Sequence, residues 1–308
     1  MPTDTALRLA FIGFGEAASA IALGLREAGA AVEMRAYDIK SDSDDAPLRE
    51  RLRHQYQAAG VRACATLAEA LDGAVLVFSL VTADQAALAA RAAAPLLQPG
   101  QHFLDGNSCS PGGKRGSAML IAASGARYSD VAVMAPIHPA RQRTPLLLSG
   151  EHAAGLQPLL ERLGMNARLM PGAVGAASTV KMLRSIMIKG MEALSAECLL
   201  AARQAGIEET ILPSLEQSFP GFGWRQQAGY NLERMTRHGL RRAAEMREVA
   251  ATLDELGMGN EMAAATAAWQ QRIGELGIRN DSTDLARQAD PILEHLARAS
   301  ARDVPLPR

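Results

Sequence analysis

The sequence has few cysteines, and its positive and negative charges nearly cancel. The three cysteines, Cys64, Cys109 and Cys198, are far apart and form no Cys-x-x-Cys pair. We therefore expect no disulfide framework. The thiols are expected to be reduced, as they are in a cytoplasm. The 32 basic and 33 acidic residues leave a formal net charge of −1 and form no basic block. Nothing in this charge pattern points to nucleic acid or to an anionic membrane surface as a partner.

Metal-binding spacings, long apolar runs and a secretion signal are also missing. The six histidines show no His-x-x-x-His or similar spacing, so we expect no metal site. The longest apolar stretches are rich in alanine and are broken by arginine, aspartate or proline, which argues against a transmembrane helix. Residues 1–7 have neither the basic nor the apolar region of a signal peptide. These absences together lead us to expect a cytoplasmic protein.

What the sequence does have is a glycine-rich turn between a strand pattern and a helix pattern. Residues 9–12 have the length and apolar character of a buried strand, and G-x-G-x-x-A follows at Gly13, Gly15 and Ala18. In this context Gly13 permits a tight turn, and Gly15 lets a pyrophosphate approach the backbone. The first amides of the following helix would receive the phosphates. The cofactor contacts expected here are Gly13, Phe14, Gly15, Glu16 and Ala17.

The next strand pattern, residues 31–37, ends in Asp38, twenty residues after Ala18. A carboxylate at this position can accept hydrogen bonds from a ribose 2′-hydroxyl, and it repels a 2′-phosphate, which favours NAD. Arg35, Lys40 and Ser41 lie nearby and leave room for NADP. We expect NAD or NADP as cofactor, with NAD slightly favoured.

Strand and helix patterns alternate through the first 171 residues. Further strands are predicted at residues 61–63, 74–80, 102–105, 127–134, 146–149 and 167–170. Helices are predicted between them, at residues 47–59, 67–71, 84–94, 111–124 and 153–163. Alternating units of this kind indicate a parallel sheet with helices on both faces.

After residue 172 only helix patterns remain. They cover residues 174–205, 208–217, 227–238, 240–256, 261–276 and 283–299, and a tail follows at residues 302–308. A chain of 308 residues is long enough for two domains. We therefore predict an α/β architecture: an N-terminal Rossmann domain with a doubly wound, mostly parallel sheet (residues 1–171), joined by a long helix to an all-helical C-terminal domain (residues 172–308).

The predicted long helix, residues 174–205, carries a polar stripe along an otherwise apolar surface. On a helical wheel the members of this polar stripe fall within about 80° of one another: Ser178, Lys181, Ser185, Lys189 and Glu192. The stripe must face solvent, a partner or a cleft, and the ordinary interpretation is a solvated face. Because the helix starts where the nucleotide domain ends, we expect Lys181 to lie beside the crevice between the domains. A lysine there can act as a general acid or base, or hold a substrate anion.

Two segments resemble a known family. G-A-V-G-A-A-S-T-V-K, residues 172–181, is similar to the G-x-x-G-x-x-x-x-x-K segment of the β-hydroxyacid dehydrogenases, which include 3-hydroxyisobutyrate dehydrogenase and 6-phosphogluconate dehydrogenase. D-G-N-S-C-S-P, residues 105–111, resembles their D-x-S-T-x-x-P turn. The resemblance implies that Lys181 is the catalytic lysine and that Ser108 lies near the nicotinamide or substrate. It also implies a homodimer through the C-terminal domain. Its further candidates are Ser185 for catalysis, where the family has asparagine, and Leu80, Val81, Thr82 and Asn107 for the cofactor.

Other segments depart from the family pattern. The stretch D-V-A-V-M-A-P, residues 130–136, replaces the usual D-A-P-V-S-G-G, so the Ser-Gly-Gly grip on a substrate carboxylate is missing. The chain therefore resembles a divergent branch of the superfamily with an atypical C-terminal domain. His138, Arg141 and Arg143 could replace the lost grip, or they could form a polar surface loop. The remaining candidates for substrate contact are Met134, Trp224 and Arg241.

These observations predict an NAD(P)-dependent oxidoreductase. Hydride would pass between the nicotinamide and a small carbonyl or alcohol, hydroxy-acid-like in character, with Lys181 as general acid or base. Two alternatives remain open: an imine reductase of the same architecture, and a dinucleotide-sensing protein that binds the cofactor without turnover.

Overall fold

The computed structural model describes residues 7–279, 282 and 284–302. The chain divides into two compact units, residues 1–182 and residues 183–308. We call them unit 1 and unit 2. This division lies inside the long helix, whereas the sequence pattern places the domain boundary at residue 171.

Unit 1 is built on one eight-stranded sheet. The strands are β1 (Leu7–Ile12), β2 (Val32–Tyr37), β3 (Arg62–Ala63), β4 (Leu76–Ser79), β5 (His102–Asp105), β6 (Arg127–Val133), β7 (Leu146–Ser149) and β8 (Ala167–Leu169). Their order in the sheet is β3-β2-β1-β4-β5-β6-β7-β8. All neighbours are parallel except β6 and β7, which are antiparallel. The predicted doubly wound, mostly parallel sheet is confirmed.

Helices connect these strands. They are α1 (Glu16–Glu27), α2 (Ala46–Ala59), α3 (Leu67–Leu71), α4 (Ala86–Ala93), α5 (Pro111–Ala122) and α6 (Ala153–Arg162). The predicted helix at residues 84–94 is divided: a 3₁₀ turn, Ala83–Gln85, precedes α4, and another, Ala94–Leu96, follows it. The second turn contains Pro95, which has no N–H to donate and therefore favours the end of the α-helix.

The sheet is buried on both faces, as apolar parallel strands require. On one face Phe11 stacks on Phe78, with ring centroids 6.5 Å apart, and on the other Phe103 stacks on Tyr128 at 5.9 Å. In the order of the strands, β2 and β3 lie on one side of β1, and β4 and β5 lie on its other side. The switch point of the sheet therefore lies between β1 and β4, and ligands of such sheets bind outside the carboxyl ends of the strands at that point.

In the described residues of unit 2, all regular secondary structure is helical. The long helix α7 (Ala176–Gln204) begins in unit 1 and continues into unit 2, where α8 (Glu208–Ser218), α9 (Trp224–Glu255), α10 (Glu261–Glu275) and α11 (Leu285–Arg302) follow. The predicted helix at residues 283–299 starts at a residue outside the described ones. Of the predicted tail at residues 302–308, only Arg302 is described, and it belongs to α11.

The prediction of two helices at residues 227–238 and 240–256 is wrong, because α9 runs through both without a break. Gly239, the residue between the two predicted helices, lies inside α9. A Cβ added there would lie 2.4 Å from the Gln270 backbone oxygen and 2.8 Å from Gly274 Cα. The glycine is therefore a point of close approach between α9 and α10.

Of the alternatives for the polar stripe of α7, a solvated face is excluded for its part in unit 2. In unit 2 the polar stripe is buried at Ser185, Lys189 and Glu192, while Leu183, Met187, Ile188 and Leu194 are exposed. The buried charges are stabilised by partners on α9, because Lys189 Nζ lies 3.0 Å from Glu245 Oε2 and Arg242 NH1 donates to both Glu192 oxygens at 2.8 Å. A helical wheel shows which residues share a face, but the partners decide which face is buried.

Two further properties concern the described residues as a whole. None of the helices among them combines the length and the apolar character needed to cross a membrane. In the same residues, no group of three or more histidine, cysteine, aspartate or glutamate side chains is arranged to hold a metal ion.

Candidate cofactor and active site

The turn after β1 is shaped by Gly13. Its φ of +81° lies in the left-handed region, which glycine adopts at little cost. Its N–H donates to Tyr37 O at 2.9 Å. A Cβ added at this position would lie 2.7 Å from Leu80 O, on the turn after β4. The fold itself therefore requires glycine at residue 13.

Gly15 is different, because the fold does not require it. The residue caps the N-terminus of α1 with a φ of −83°, and a Cβ added there would meet no protein atom within 4 Å. Open space therefore adjoins the first turn of α1, where the amides of Glu16 and Ala17 have no partner within the helix. The helix dipole adds partial positive charge at this end. Such a site fits an anionic group.

Phe14 lies between these glycines, and its side chain points into the protein. The ring is fully buried and stacks on Tyr56 of α2, with centroids 4.5 Å apart. The Phe14 N–H donates to Asp38 Oδ2 at 2.7 Å. Phe14 thus shapes the turn from within, and its amide is already bonded to a carboxylate.

Asp38 ties the end of β2 to this turn. Its Oδ1 accepts from Lys40 N at 2.9 Å, and its Oδ2 accepts from Phe14 N. Each carboxylate oxygen can still accept a second hydrogen bond, so a ribose hydroxyl remains an acceptable partner. Of the basic residues nearby, Arg35 is held by Glu33 at 2.7 Å, and Lys40 is exposed.

The turns after β4 and β5 are joined by Asn107. Its Oδ1 accepts from Val81 N at 2.7 Å, and its Nδ2 donates to Ser79 Oγ at 3.0 Å. Leu80 N donates to Ile12 O at 2.9 Å, so the turn carrying Leu80, Val81 and Thr82 lies beside the glycine turn. Asn107 therefore holds these predicted cofactor residues in place through its own side chain.

The two predicted catalytic side chains meet. Lys181, in the second turn of α7, donates from Nζ to Ser108 Oγ at 2.8 Å, although 73 residues separate them. Both residues are half-buried. Ser108 follows β5 and so stands at the carboxyl edge of the sheet, the same edge as the glycine turn after the parallel strand β1.

A buried ionic cluster contacts the two segments that carry this pair, and the sequence did not predict it. It consists of Asp105, Lys114, Asp130, Tyr128, Ser149 and Ser178, all buried. Lys114 Nζ lies 2.9 Å from Asp105 Oδ1 and 3.5 Å from Asp130 Oδ1. Tyr128 donates to Asp105 Oδ2 at 2.7 Å. The sequence offered one signal, since Asp105 and Asp130 each stand in an apolar strand pattern.

Electrostatics within this cluster favour a charged lysine. Burial alone lowers the pKa of Lys114, but Asp105 and Asp130 together outweigh it and raise the pKa above its ordinary value. Burial and the neighbouring Asp105 raise the pKa of the Tyr128 hydroxyl, which therefore remains a donor.

The loop with His138, Arg141 and Arg143 could replace the missing binding site for a substrate carboxylate. In the structure, however, this loop is bonded to α1. Arg141 bonds to Glu27 at the C-terminal end of α1, opposite to the end with the glycine turn. His138 is exposed in the same loop. Met134 directly follows β6 at the carboxyl edge of the sheet, where it is half-buried and its N–H donates to Pro145 O at 2.9 Å. Of these predicted residues, Met134 is the one that directly follows a strand at that edge.

The remaining candidates lie in unit 2. Ser185 Oγ accepts from Lys189 Nζ at 3.1 Å. Arg241 donates to Glu245 Oε1 at 2.8 Å. Trp224 begins α9 and packs on Phe222 with ring centroids 4.4 Å apart. Each of the three thus has a defined partner within unit 2.

Comparison with known proteins assigns the chain to a family. Residues 8–172 match the family described as the NAD binding domain of 6-phosphogluconate dehydrogenase, which is more than half of the 308 residues. The chain belongs to this family. Residues 202–273 match a second family, a domain of unknown function (DUF1932). The predicted resemblance, including the atypical C-terminal domain, is confirmed.

Solved structures of similar proteins cover nearly the whole chain. A conserved hypothetical protein from Sinorhizobium meliloti 1021 is 35% identical over 95% of this chain and 97% of its own, with a TM-score of 0.70. The conserved protein MTH1747, of unknown function and similar in structure to 3-hydroxyacid dehydrogenases, is 29% identical over 92% of this chain and 99% of its own, with a TM-score of 0.65. A Mycobacterium tuberculosis 3-hydroxyisobutyrate dehydrogenase with L-serine is 17% identical over 95% and 99%, with a TM-score of 0.68, a likeness of fold alone.

Proposed function

We propose that this protein is an NAD(P)-dependent oxidoreductase that transfers a hydride between the nicotinamide and a small carbonyl or alcohol, hydroxy-acid-like in character. One observation carries the proposal: Lys181 Nζ bonds to Ser108 Oγ at 2.8 Å, at the carboxyl edge of an NAD-binding domain. A proton donor and a hydroxyl that can orient an oxygen are therefore side by side where a ligand of this sheet would bind.

The residues of the glycine turn fit a dinucleotide. Open space adjoins Gly15, and the amides of Glu16 and Ala17 face it from the positive end of α1. Asp38 would accept from the ribose, which favours NAD, while the exposed Lys40 leaves NADP as the alternative. Leu80, Val81 and Thr82 would lie along the nicotinamide half, in the turn that Asn107 holds.

The chain's own residues then supply proton transfer and orientation. In reduction, the Lys181 ammonium donates a proton to the developing alkoxide, and in oxidation the neutral amine removes it. The Ser108 hydroxyl accepts from Lys181 and can donate its own hydrogen to the substrate oxygen. A bound nicotinamide supplies or accepts the hydride. Met134, which stands where the family has a serine, would line the site with an apolar surface.

The experiment that tests this function is an activity screen with binding measured in parallel. NADH and NADPH are titrated against the protein by fluorescence and then mixed with small aldehydes, ketones, 2-oxo and 3-oxo acids, and cyclic imines. The proposal predicts cofactor binding and oxidation with at least one carbonyl compound. Turnover of imines alone would indicate an imine reductase. Binding without any turnover would indicate a dinucleotide sensor, and either of these results would contradict the proposal.

We also propose that the chain forms a homodimer through unit 2. The outward face of α7 exposes 64% of Met187 and 65% of Leu194, next to the exposed Leu183 and Ile188. A row of large apolar side chains on one helix is unusual on a monomer's surface and is typical of an interface.

Light scattering at micromolar concentration tests the dimer. Wild type should have twice the mass of one chain, and Met187→Glu/Leu194→Glu should be monomeric, because two carboxylates would be buried in the interface. Met119→Glu is the matched control, since Met119 is a 76% exposed methionine on α5 of unit 1. A monomeric wild type would contradict the proposal.

A further inference from the structure

The first turn of α7 is capped by residues from the sheet. Asp130 Oδ2 accepts from Gly175 N at 3.2 Å and from Ser178 N at 3.0 Å, and Asp130 Oδ1 accepts from the Ser178 hydroxyl at 2.6 Å. Ser149 Oγ accepts from Ala177 N at 3.0 Å. These amides have no partner within the helix. Asp130 therefore fixes where α7 begins, and Lys181 lies three residues beyond Ser178 on that helix.

The loop that carries Ser108 is fixed in a similar way. Asp105, the last residue of β5, accepts from Asn107 N at 3.1 Å through Oδ1. Ser108 is the next residue after Asn107, three residues beyond Asp105. Ser108 thus stands three residues from Asp105, and Lys181 stands three residues from Ser178, which is bonded to Asp130.

Lys114 joins the two carboxylates. Its ammonium donates to the Asp105 backbone oxygen at 2.6 Å and to Asp105 Oδ1 at 2.9 Å, and it lies 3.5 Å from Asp130 Oδ1. The side chain is completely buried. A buried ion pair is seldom more stable than apolar residues of the same volume, so stability alone is a weak reason for a lysine here. A cation shared by two carboxylates does, however, fix the distance between them.

We propose that Lys114 is a positioning residue, whose ammonium holds Asp105 and Asp130 together and so sets Ser108 against Lys181. The inference rests on the proposed function only in giving that pair a chemical role, because the pair's geometry can be measured without any substrate. The ion pairs of Lys114 with Asp105 and Asp130 form the bridge. Asp130 positions Lys181 because it caps α7, and Asp105 positions Ser108 because it bonds to the turn after β5.

The lysine content of the chain makes a direct measurement practical. The sequence contains four lysines: Lys40, Lys114, Lys181 and Lys189. Trace labelling with acetic anhydride, followed by peptide mass spectrometry, reports the reactivity of each amine separately in the protein without ligand. The exposed Lys40 serves as the internal standard. Lys189, which is buried in unit 2, shows whether that unit stays folded.

Lys114→Met should raise the labelling rate of Lys181 relative to Lys40 about fivefold, the equivalent of one typical hydrogen bond. Tyr128→Phe is the matched control, because it removes another buried hydrogen bond to Asp105 but leaves the bridge to Asp130. It should lower the thermal midpoint and leave Lys181 labelling within about twofold of wild type. Equal changes in both variants, or none in Lys114→Met, would overturn the proposal.

A variant with unpaired buried carboxylates could fail to fold, so a second variant keeps the test decisive. Lys114→Met/Asp130→Asn removes one charge of each sign, and the asparagine oxygen can still accept from the amides of α7. This variant should fold and should also show faster labelling of Lys181. Unchanged labelling in the folded double variant would overturn the proposal.

The proposed function and this inference can fail separately. If wild type oxidises no NAD(P)H but Lys114→Met changes Lys181 labelling, the bridge positions the lysine and only the proposed reaction is wrong. If a substrate is found, Lys114→Met should lower kcat and leave the cofactor Kd unchanged. In a Ser108→Ala background it should lower kcat little further, since the contact it maintains is already lost.

Discussion

Gly13 and Gly15 stand two residues apart in one turn, and the structure gives them different roles. Gly13 is needed by the protein itself, because its positive φ and its approach to Leu80 leave no room for a side chain. At Gly15 the backbone is ordinary, and the space beside it is open. Gly15 also stands at the first turn of α1 within the G-x-G-x-x-A motif, and there a glycine lets a pyrophosphate approach the backbone.

Gly15→Val therefore separates binding from folding. A Cβ at residue 15 would meet no protein atom within 4 Å, so the thermal midpoint should stay close to that of wild type. Affinity for NADH and NADPH should fall by about tenfold or more, since the side chain occupies the space beside the first turn of α1. Gly155→Val is the control: Gly155 has equally open surroundings on α6, and affinity should not change. Full cofactor affinity in Gly15→Val would show that the ligand does not approach this turn.

Asp38→Ala should affect both stability and cofactor choice. Two donors, Phe14 N and Lys40 N, lose their acceptor, which should lower the free energy of unfolding by about 1–3 kcal/mol. The Kd for NAD should rise more than the Kd for NADP, because the ribose loses an acceptor and a 2′-phosphate loses a repelling charge. Asp44→Ala, an exposed change nearby, should do neither. A wild type that already prefers NADP would contradict this role of Asp38.

The individual residues of the site were predictable to different degrees. Gly13, Ser108 and Lys181 stand in short motifs whose spacing carries the chemistry, so the sequence indicates them directly. The partnership of Lys114 with Asp130 has no such spacing. It depends on β5 lying beside β6 with Asp105 opposite Asp130, and strand register is a property of the folded sheet.

Among the elements, the strands of unit 1 were predicted most closely. Buried parallel strands form apolar runs that the sequence shows directly, and the bounds of β5 and β7 agree with the prediction. The helices of unit 2 were harder, because a glycine inside a helix can signal either an end or a close contact. Gly239 is such a contact, and only the position of α10 reveals it.

Gly239→Ala should destabilise unit 2. The new methyl group would overlap the backbone of α10 at Gln270 and Gly274, and overpacking of this kind costs about 1–3 kcal/mol or more. Gly155→Ala, also inside a helix but in open space, should be neutral or slightly stabilising. Denaturant unfolding of the two variants gives the comparison. Equal stability of both would show that α9 and α10 are not in close contact at Gly239.

At the scale of the whole molecule, the chain combines an NAD-binding domain of known family with a helical unit that matches a domain of unknown function. Unit 1 alone contains the glycine turn, Ser108, Lys181 and the buried ionic cluster. The Ser108–Lys181 pair and the glycine turn are thus parts of one compact body. This leaves recognition of the substrate as the property that the sequence predicts least, because the family's carboxylate grip is replaced at residues 134–136.

In the proposed reaction Lys181 transfers the proton, and steady-state kinetics of Lys181→Met test this role once the screen has supplied a substrate. Cofactor Kd should stay near the wild-type value, while kcat should fall by roughly 10²–10⁴, the usual contribution of a positioned acid or base. Lys181→Arg should be nearly as slow, because a guanidinium does not release its proton near neutral pH. Arg184→Met, an exposed change three residues along the same helix, should keep wild-type kcat. A Lys181→Met enzyme that turns over at the wild-type rate would show that Lys181 is not the proton donor.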